Sequence, residues 1–179
     1  AGYKKYFSDL AQISDKFDSQ ENCVLLLATD ECTDEPLGTI RLLRSDCGQT
    51  EIEDFLPVRK MLDAPYENFV EATRLSVPHH ELSTSIKFAL KKTYYHYCLA
   101  NGFNTLLLWV RYPAVREYRA WHFFDINGGS GVFSHPTLGG NEHRAMICDI
   151  RRAVENWQAE GNPYLPFLID ESYTNLRFD

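Results

Sequence analysis

The sequence predicts a single domain of the mixed α+β class, built around one central sheet. Apolar runs of strand length recur between turn-forming residues, and one long amphipathic helix separates two of these runs. Hydrophobic residues make up 44% of the chain, which is typical of a globular core and not of a disordered chain. Two strands joined by a long helix are expected to pair in parallel. We therefore expect one domain over residues 1–179.

The first part of the chain predicts a helix followed by a β-hairpin. Aromatic and aliphatic residues recur at three- and four-residue steps over 3–18, as in an amphipathic helix. Two apolar runs, over 23–29 and 37–44, flank a polar turn at 30–36, which predicts antiparallel pairing. Because Arg41 lies in the middle of the second strand, we expect its side chain to be at least partly shielded from solvent.

The middle of the chain predicts an irregular excursion, a strand and the longest helix. Residues 45–68 contain one short helical piece near 58–61, and we expect this excursion to cover a pocket. A β-branched and apolar strand over 69–77 stops at a proline, and a helix over 82–100 ends at Asn-Gly. The buried stripe expected on this helix is Leu82, Ile86, Ala89 or Leu90, Thr93 and Tyr97. Three lysines are expected together on its solvated side: Lys87, Lys91 and Lys92.

The last third of the chain predicts two further strands and two helices. The expected elements are a buried strand at 103–110, a helix at 114–124, a strand at 143–150, a helix at 151–160 and an irregular cover at 161–179. A glycine-rich loop at 127–131 follows a helix, so the negative end of the helix dipole faces it. We therefore interpret this loop as a turn and not as a phosphate cradle.

Composition and charge argue against several classes of function. The net charge of -7 disfavours non-specific binding to nucleic acid. Five cysteines with no CxxC motif indicate reduced thiols and a cytoplasmic protein, and no metal-site spacing links them to the six histidines. Because no apolar run approaches about 20 residues, we expect no integral membrane segment. The aromatic share of 13% exceeds what a minimal core needs and suits a pocket for an apolar molecule.

A carboxylate and a guanidinium lie inside the otherwise apolar strand at 69–77. Burying Glu71 and Arg74 is costly unless they are paired or used, so this strand and the helix start after it are the predicted active site. A structural ion pair at a strand end is the alternative. Residues three apart lie on opposite faces of a regular strand, and we predict a β-bulge that brings these two side chains to one face.

Three short stretches carry a resemblance to a known family. Asp15-Lys-Phe-Asp18, Gly38-Thr-Ile-Arg41-Leu-Leu and Glu71-Ala-Thr-Arg74-Leu-Ser-Val resemble the signature stretches of the acyl-homoserine-lactone synthases, which belong to the GNAT acyltransferase superfamily. The resemblance spans roughly residues 6–125. The sequence from Val70 to Pro78, together with the histidine-rich stretch that follows it, is more similar to the long-chain N-acyl amino acid synthases of the FeeM type. The aromatic region that helps the lactone synthases to hold S-adenosylmethionine has no visible match.

This resemblance implies a fold and a reaction. The fold would be GNAT-like, a central twisted mixed sheet flanked by helices, whose two parallel strands splay apart and receive a pantetheine arm. The reaction would transfer a long-chain fatty acyl group from acyl carrier protein to the α-amine of an amino acid, with tyrosine as the first expectation. No bound cofactor is implied, because the carrier protein supplies its own 4′-phosphopantetheine. Acyl carrier protein would then be the partner.

The implied chemistry assigns roles to residues around the strand. Glu71 would be the general base for the amine. The backbone N–H of Ser76 or Val77 would bind the developing oxyanion, because Pro78 has no N–H. No Cys/His pair suggests an acyl-enzyme, so direct attack by the amine is the simpler mechanism. The arginines would hold the acceptor carboxylate, and the expected substrate-binding set is Arg41, Arg74, Asp15, Asp18, Trp109 and Arg111.

The carrier and the acyl chain need further contacts. The start of the long helix has no glycine-rich loop, so Ser83 and Thr84 would meet one phosphate, and Lys87 and Lys91 would meet the acidic carrier. Further cations expected on this face are Lys92, Arg111, Arg116 and Arg119. Candidate walls of an acyl tunnel are Leu107, Trp109, Phe123, Phe124, Phe133 and the aromatic residues of the excursion at 45–68. Two alternatives stay open: a lactone synthase that uses S-adenosylmethionine, and a non-catalytic binder of lipid or carrier protein.

Overall fold

A seven-stranded mixed sheet forms the centre of the molecule. The computed structural model describes residues 14–63, 66–79, 81–136 and 139–169. The strands are β1 (Cys23–Thr29), β2 (Pro36–Arg44), β3 (Phe69–Ser76), β4 (Thr105–Val110), β5 (Phe124–Asp125), β6 (Val132–Ser134) and β7 (Glu142–Asp149). Their order across the sheet is β1-β2-β3-β4-β7-β5, and β6 also pairs with β7. The expected central mixed sheet is thus confirmed.

One strand pair in this sheet is parallel and the others are antiparallel. The helices are α1 (Val58–Met61), α2 (Ser83–Ala100), α3 (Ala114–Ala120), α4 (Ile150–Ala159) and α5 (Leu165–Ile169). Helix α2 connects β3 to β4, and these two strands pair in parallel, as the strand–helix–strand order predicts. The hairpin of β1 and β2 is also present.

The two faces of the sheet carry separate cores. On one face, the side chains of Ile86, Leu90 and Tyr94 from α2 pack with Leu42 and Leu108 of the sheet. On the opposite face, the excursion between β2 and β3 supplies Ile52, Val58 and Leu62 to a smaller core, packed against Phe69, Leu107, Ala145 and Ile147. The excursion therefore covers one face of the sheet, next to the strand that carries Glu71.

Several elements differ from the sequence-based expectation. The helix expected at 3–18 lies outside the described residues up to position 13, and residues 14–18 form a turn and not a helix. On α2, Leu82 and Ala89 are exposed, whereas Tyr94 takes the buried place expected for Thr93. Helix α3 ends at Ala120, four residues earlier than expected.

Lys92 is the clearest correction on α2. Its side chain is buried, only 1% exposed, and its ammonium lies 4.8 Å from the centre of the Phe167 ring. A position five residues after Lys87 lies on a different side of a helix with 3.6 residues per turn. The three lysines therefore do not form one solvated face, and Lys92 is not available for a docking surface.

Candidate active site

The site lies where β3 and β4 part. Their pairing runs from Phe69 opposite Thr105 to Ala72 opposite Leu108, and stops there although both strands continue. A cavity of about 370 Å³ opens at this point. Its walls come from β2, β3, α2, β4, α3 and β7: Ile40, Ala72, Thr73, Arg74, Leu75, Ser76, Lys87, Lys91, Leu108, Trp109, Val110, Arg111, Ala114, Glu117, Tyr118 and His143.

A β-bulge shapes the β3 side of the cavity. Thr39 and Arg41, two steps apart on β2, pair with Ser76 and Thr73, which are three steps apart on β3. The extra residue accompanies a left-handed backbone at Arg74, with a φ of 54°. A bulge is therefore present in β3, but it lies between Thr73 and Ser76 and not between Glu71 and Arg74 as predicted, because Glu71, Ala72 and Thr73 keep a regular register with β2. It lets Arg74 reach Asp15, the same carboxylate that Arg41 contacts.

Arg41 is buried in a closed network and does not line the cavity. Its Nε donates to the Thr73 hydroxyl at 3.0 Å, and one terminal nitrogen donates to Asp15 at 2.8 Å and to Asp18 at 2.6 Å. The other terminal nitrogen donates to Glu51. The side chain is 2% exposed. The structure does not support the expectation that Arg41 binds the acceptor carboxylate, because four of its five N–H donors already bond to groups inside the protein.

The acidic pair at the amino-terminal end of the described chain belongs to the same network. Asp15 accepts from Arg74 at 2.5 Å as well as from Arg41, and one Asp18 oxygen lies 3.6 Å from Arg74. Partial burial would raise the pKa of Asp18, but the backbone N–H of Asp15 and the charge of Arg41 outweigh it and lower that pKa. Neither carboxylate lines the cavity, so the two aspartates fix the arginines in place.

Glu71 lies behind the cavity wall and has no exposed surface. The backbone N–H of Ile52 donates to both carboxylate oxygens, at 3.1 and 3.2 Å, and the indole N–H of Trp109 donates to Oε1 at 2.7 Å. Burial, reinforced by the charge of Glu51, raises the pKa of Glu71 to about 8. The alternative of a structural ion pair at the strand end therefore holds for Arg74, which pairs with Asp15, whereas Glu71 accepts from Trp109 and forms no ion pair with Arg74.

Trp109 separates Glu71 from the cavity. Its indole lines the cavity on one side and donates to Glu71 on the other. Two buried histidines pack against it: His135 stacks at 5.2 Å, and His143 meets it edge-on at 5.1 Å. Burial lowers the pKa of both imidazoles, so they are largely neutral at pH 7. The two imidazoles also contact each other, with ring centroids 5.9 Å apart, so His135 and His143 form one cluster against Trp109.

The residues expected to meet the carrier divide into two groups. Lys87 and Lys91 line the cavity, and so does Ser76. Lys91 is paired with Glu117 and lies 4.8 Å from the centre of the Tyr118 ring, so it belongs to the wall and not to an open docking face. Ser83 donates its hydroxyl to the carbonyl of Pro78 at 2.9 Å, which closes the turn before α2. Val77, Ser83 and Thr84 are not among the lining residues.

The aromatic residues expected to form one tunnel do not lie together. Trp109 lines the cavity, whereas Leu107 and Phe133 pack in the core behind it. Phe123 and Phe124 border a different depression of about 470 Å³, next to Arg119 and Asp149. The prediction of a single acyl wall from these five residues is therefore wrong.

Several residues of the site were not predicted from the sequence. His143, Tyr118, Ala114 and Glu117 reach the cavity from α3 and β7. A usable signal existed for His143, because it opens a predicted strand. Gly38 is a second unpredicted contributor: a Cβ atom there would lie 2.9 Å from Val77 and 3.2 Å from the carbonyl oxygen of Ser76. The end of β3 therefore rests directly on a residue without a side chain.

Comparison with solved structures shows that the fold recurs in acyltransferases. The structure of FeeM, an N-acyl amino acid synthase from uncultured soil microbes, covers 86% of this chain and 83% of that chain with a TM-score of 0.66 and 13% identity. The CoA-dependent acyl-homoserine lactone synthase BjaI covers 84% and 69%, with a TM-score of 0.58 and 16% identity. The aminoglycoside 6'-N-acetyltransferase from Enterococcus faecium covers 83% and 84%, with a TM-score of 0.55 and 13% identity.

Comparison with models of protein families assigns the chain to one family of acyltransferases. A search of curated proteins gives no match. Within the described ranges, no helix is both long and apolar enough to span a membrane, and no group of three or more potential ligands fits a metal ion. The family model described as N-acyl amino acid synthase FeeM matches residues 2–149. The chain therefore belongs to the FeeM family of N-acyl amino acid synthases, and it is an acyltransferase.

Proposed function

We propose that this chain transfers a long-chain fatty acyl group from acyl carrier protein to the α-amine of an amino acid. The observation that carries the proposal is the cavity at the point where β3 and β4 separate, lined by cationic and aromatic side chains. A parted pair of parallel strands leaves backbone groups without sheet partners, and an extended pantetheine arm can pair with them as an added strand does. The thioester then lies in the cavity.

The donor end of the cavity offers groups for the thioester and the carrier. The backbone N–H of Ser76 or Val77, at the free end of β3, would bind the carbonyl oxygen as it becomes negative. Lys87 lines the cavity from an exposed position on α2, where its charge favours the acidic surface of a carrier protein. One phosphodiester near the start of α2 would face Ser83 and Thr84.

The acceptor end offers positive charge and aromatic rings. Arg111 is exposed at the rim of the cavity, and Arg74 lines its wall, so these two guanidinium groups are proposed to bind the acceptor carboxylate. Trp109 and Tyr118 present aromatic surfaces in the same cavity. Such surfaces favour an aromatic side chain on the acceptor, which supports tyrosine as the first amino acid to test.

The amine must lose a proton before it attacks. The α-amine of a free amino acid titrates well above neutral pH, so at pH 7 most of it is ammonium. Glu71, with a pKa of about 8, is a stronger base than an ordinary carboxylate but is mostly protonated at pH 7. We propose its ionised form, which becomes the major form above about pH 8, as the general base that generates the free amine. Because Trp109 separates Glu71 from the cavity, the transfer requires the indole N–H to leave Oε1, or a water that connects the two.

Product analysis tests the proposal. Purified protein is incubated with palmitoyl acyl carrier protein and, in separate reactions, with each of the twenty amino acids and S-adenosylmethionine. We expect a mass corresponding to an N-palmitoyl amino acid, and about 100-fold less of it with the Glu71→Gln variant. A lactone formed only with S-adenosylmethionine would establish the lactone synthase instead. Carrier binding without any product, in both wild type and variant, would establish a binding protein.

A further inference from the structure

One buried histidine at the cavity has no role in the mechanism so far. His143 lies near the start of β7, two residues before Ala145, which pairs with Trp109 of β4. Side chains two apart on a strand share a face, and this places His143 beside Trp109. Its side chain is 4% exposed, and it lines the cavity between β3 and β4.

The hydrogen bond of His143 determines which ring nitrogen carries the proton. Nδ1 lies 2.8 Å from the carbonyl oxygen of Asn141. Because a carbonyl oxygen only accepts, Nδ1 must be the donor, and in the neutral ring Nε2 then holds the lone pair. Nε2 makes no hydrogen bond to any residue that the structure describes. A cavity-lining imidazole is thus held in the tautomer that accepts a proton at Nε2.

The proposed reaction still requires a second proton transfer. When the neutral amine attacks the thioester, its nitrogen becomes positively charged and must release one proton to give the amide. The pantetheine sulfur leaves with the electron pair of the broken C–S bond and must gain one proton to become a thiol. Glu71, behind Trp109, has already taken the proton that generated the amine. The attack step therefore needs a group inside the cavity that accepts from nitrogen and donates to sulfur.

We propose that Nε2 of His143 takes the proton from the attacking nitrogen and delivers it to the departing pantetheine sulfur. The C–N bond forms, the C–S bond breaks, and the proton moves from nitrogen to sulfur through the imidazole, which returns to its starting state. This inference rests on the proposed acyl transfer. Donation is favourable because an imidazolium is more acidic than an alkyl thiol, with ordinary pKa values near 6.5 and 8.5.

The other titratable groups of the cavity fit this step less well. Lys91 is already paired with Glu117, and both line the cavity. Burial raises the pKa of Tyr118 and keeps its hydroxyl protonated. Burial and the charge of Arg111 lower the pKa of His143, which keeps its ring neutral before the amine attacks. His135 is the neighbouring titratable ring on Trp109, and it does not line the cavity.

Leaving-group dependence tests the proposal directly. The single-turnover rate of amide formation is measured with two donors, an acyl-pantetheine thioester and an acyl thiophenol thioester, whose aromatic thiolate leaves without needing a proton. The variants are His143→Asn, which keeps a donor for the Asn141 carbonyl, and His143→Gln. His135→Asn is the matched control, because it removes a buried imidazole from the same Trp109 ring. Thermal unfolding verifies that each variant is folded.

The two donors give opposite expectations for His143. We expect both His143 variants to lose about 100-fold with the pantetheine donor and to approach the wild-type rate with the thiophenol donor. His135→Asn should keep the wild-type ratio between the two donors. An equal loss with both donors, or no loss, would overturn the role of His143 while leaving acyl transfer intact. If the wild-type protein acylates no amine with either donor, the proposed function itself fails, and this inference fails with it.

Discussion

The two halves of β3 differ in their neighbours and in what they do. From Phe69 to Ala72 the strand is paired on both sides, with β2 and with β4, and the side chains of Phe69, Val70 and Glu71 are fully buried. From Thr73 to Ser76 it has lost β4, carries the bulge at Arg74 and lines the cavity. Within one strand, complete pairing provides stability, and the interruption of pairing provides space for a substrate.

The charged residues follow the same division. Around Arg41, three carboxylates form ion pairs with two guanidinium groups, and none of the acidic members reaches the cavity. Around the parted strands, Lys87 and Arg111 line the cavity from exposed positions, and His143 keeps an unused nitrogen. Charge that is fully paired holds the excursion and the sheet together, whereas charge at the cavity is placed where a substrate can meet it.

The largest expected effect comes from breaking the paired network. Arg41→Gln removes the cation that Asp15, Asp18 and Glu51 share, and it leaves buried negative charge without a partner. We expect the free energy of unfolding to fall by about 3–5 kcal/mol in urea titrations. The matched control is Arg44→Gln, because Arg44 pairs with Asp46 at the surface, and its loss should cost about 1 kcal/mol or less. Equal losses for both variants would contradict the structural role of Arg41.

Glu71 should make stability depend on pH. Its carboxyl pKa is 4.5 in the unfolded reference and about 8 in the folded protein, so the folded state binds this proton more tightly. The stabilisation from this tighter proton binding is fully present below about pH 4.5 and is lost as the pH rises through about 8. Each unit of difference between the folded and unfolded pKa contributes about 1.4 kcal/mol to the free energy of unfolding. Glu71→Gln mimics the protonated carboxyl, so the variant should become more stable than wild type above pH 8.

Unfolding curves at pH 5 and pH 9 measure this difference. Near pH 5 the wild type and Glu71→Gln should have similar midpoints, and at pH 9 the wild type should be the less stable protein. The same variant is expected to lose amide formation, so a gain of stability would accompany the loss of activity. Parallel pH profiles for the two proteins would show that Glu71 is not held in its protonated form by burial.

Catalytic efficiency with acyl carrier protein should depend on the charge at the edge of the cavity. Lys87→Glu reverses an exposed charge that lines the cavity, and we expect kcat/KM for acyl carrier protein to fall roughly fivefold, or about 1 kcal/mol, with a smaller loss at high salt. Lys60→Glu is the matched control, since Lys60 is also exposed but lies on α1 outside the cavity. Equal effects of the two substitutions would reject Lys87 as part of the docking face.

The smallest expected effect concerns the glycine under the end of β3. In Gly38→Ala the new methyl group would press on Val77, on Ile86 and on the carbonyl of Ser76, so we expect a few-fold lower kcat together with some loss of stability from overpacking. Gly131→Ala is the matched control. A Cβ atom at Gly131 would lie 3.1 Å from the Cβ of Ala145, but Gly131 is away from the end of β3. A reduced kcat in the Gly131 variant only would show that the position of the β3 end is unimportant.

The sequence predicted most of the sheet because the patterns that indicate a strand lie within a few consecutive residues. Apolar runs, the Asn-Gly helix end and the strand–helix–strand order determine β1 to β4 and the parallel pair. The three-residue spacing of Glu71 and Arg74 predicted a bulge in β3 but not its position, because the bulge lies between Thr73 and Ser76. The two shortest strands, β5 and β6, contain two and three residues and leave no periodic signal. The position of a strand of ordinary length in the chain can thus be predicted from its own residues.

The site was less predictable because its contacts join distant segments. Arg41 contacts Asp15, Asp18 and Glu51 only after the chain has folded. The residues of β2 alone therefore could not predict that these carboxylates occupy the N–H donors of Arg41. His143 reaches Trp109 through the register of β4 and β7, in which Trp109 pairs with Ala145. The expectation of a cytoplasmic protein stays a prediction.

Filling the cavity tests the central claim most directly. Ala114, the first residue of α3, lines the cavity and is only partly buried, so Ala114→Trp would place an indole in the space assigned to the thioester and the amine. The measurement is the mass-spectrometric yield of N-acyl amino acid from acyl carrier protein, beside a thermal unfolding curve. The account predicts a folded protein with product reduced at least tenfold. A folded Ala114→Trp variant that forms product at the wild-type rate would contradict it.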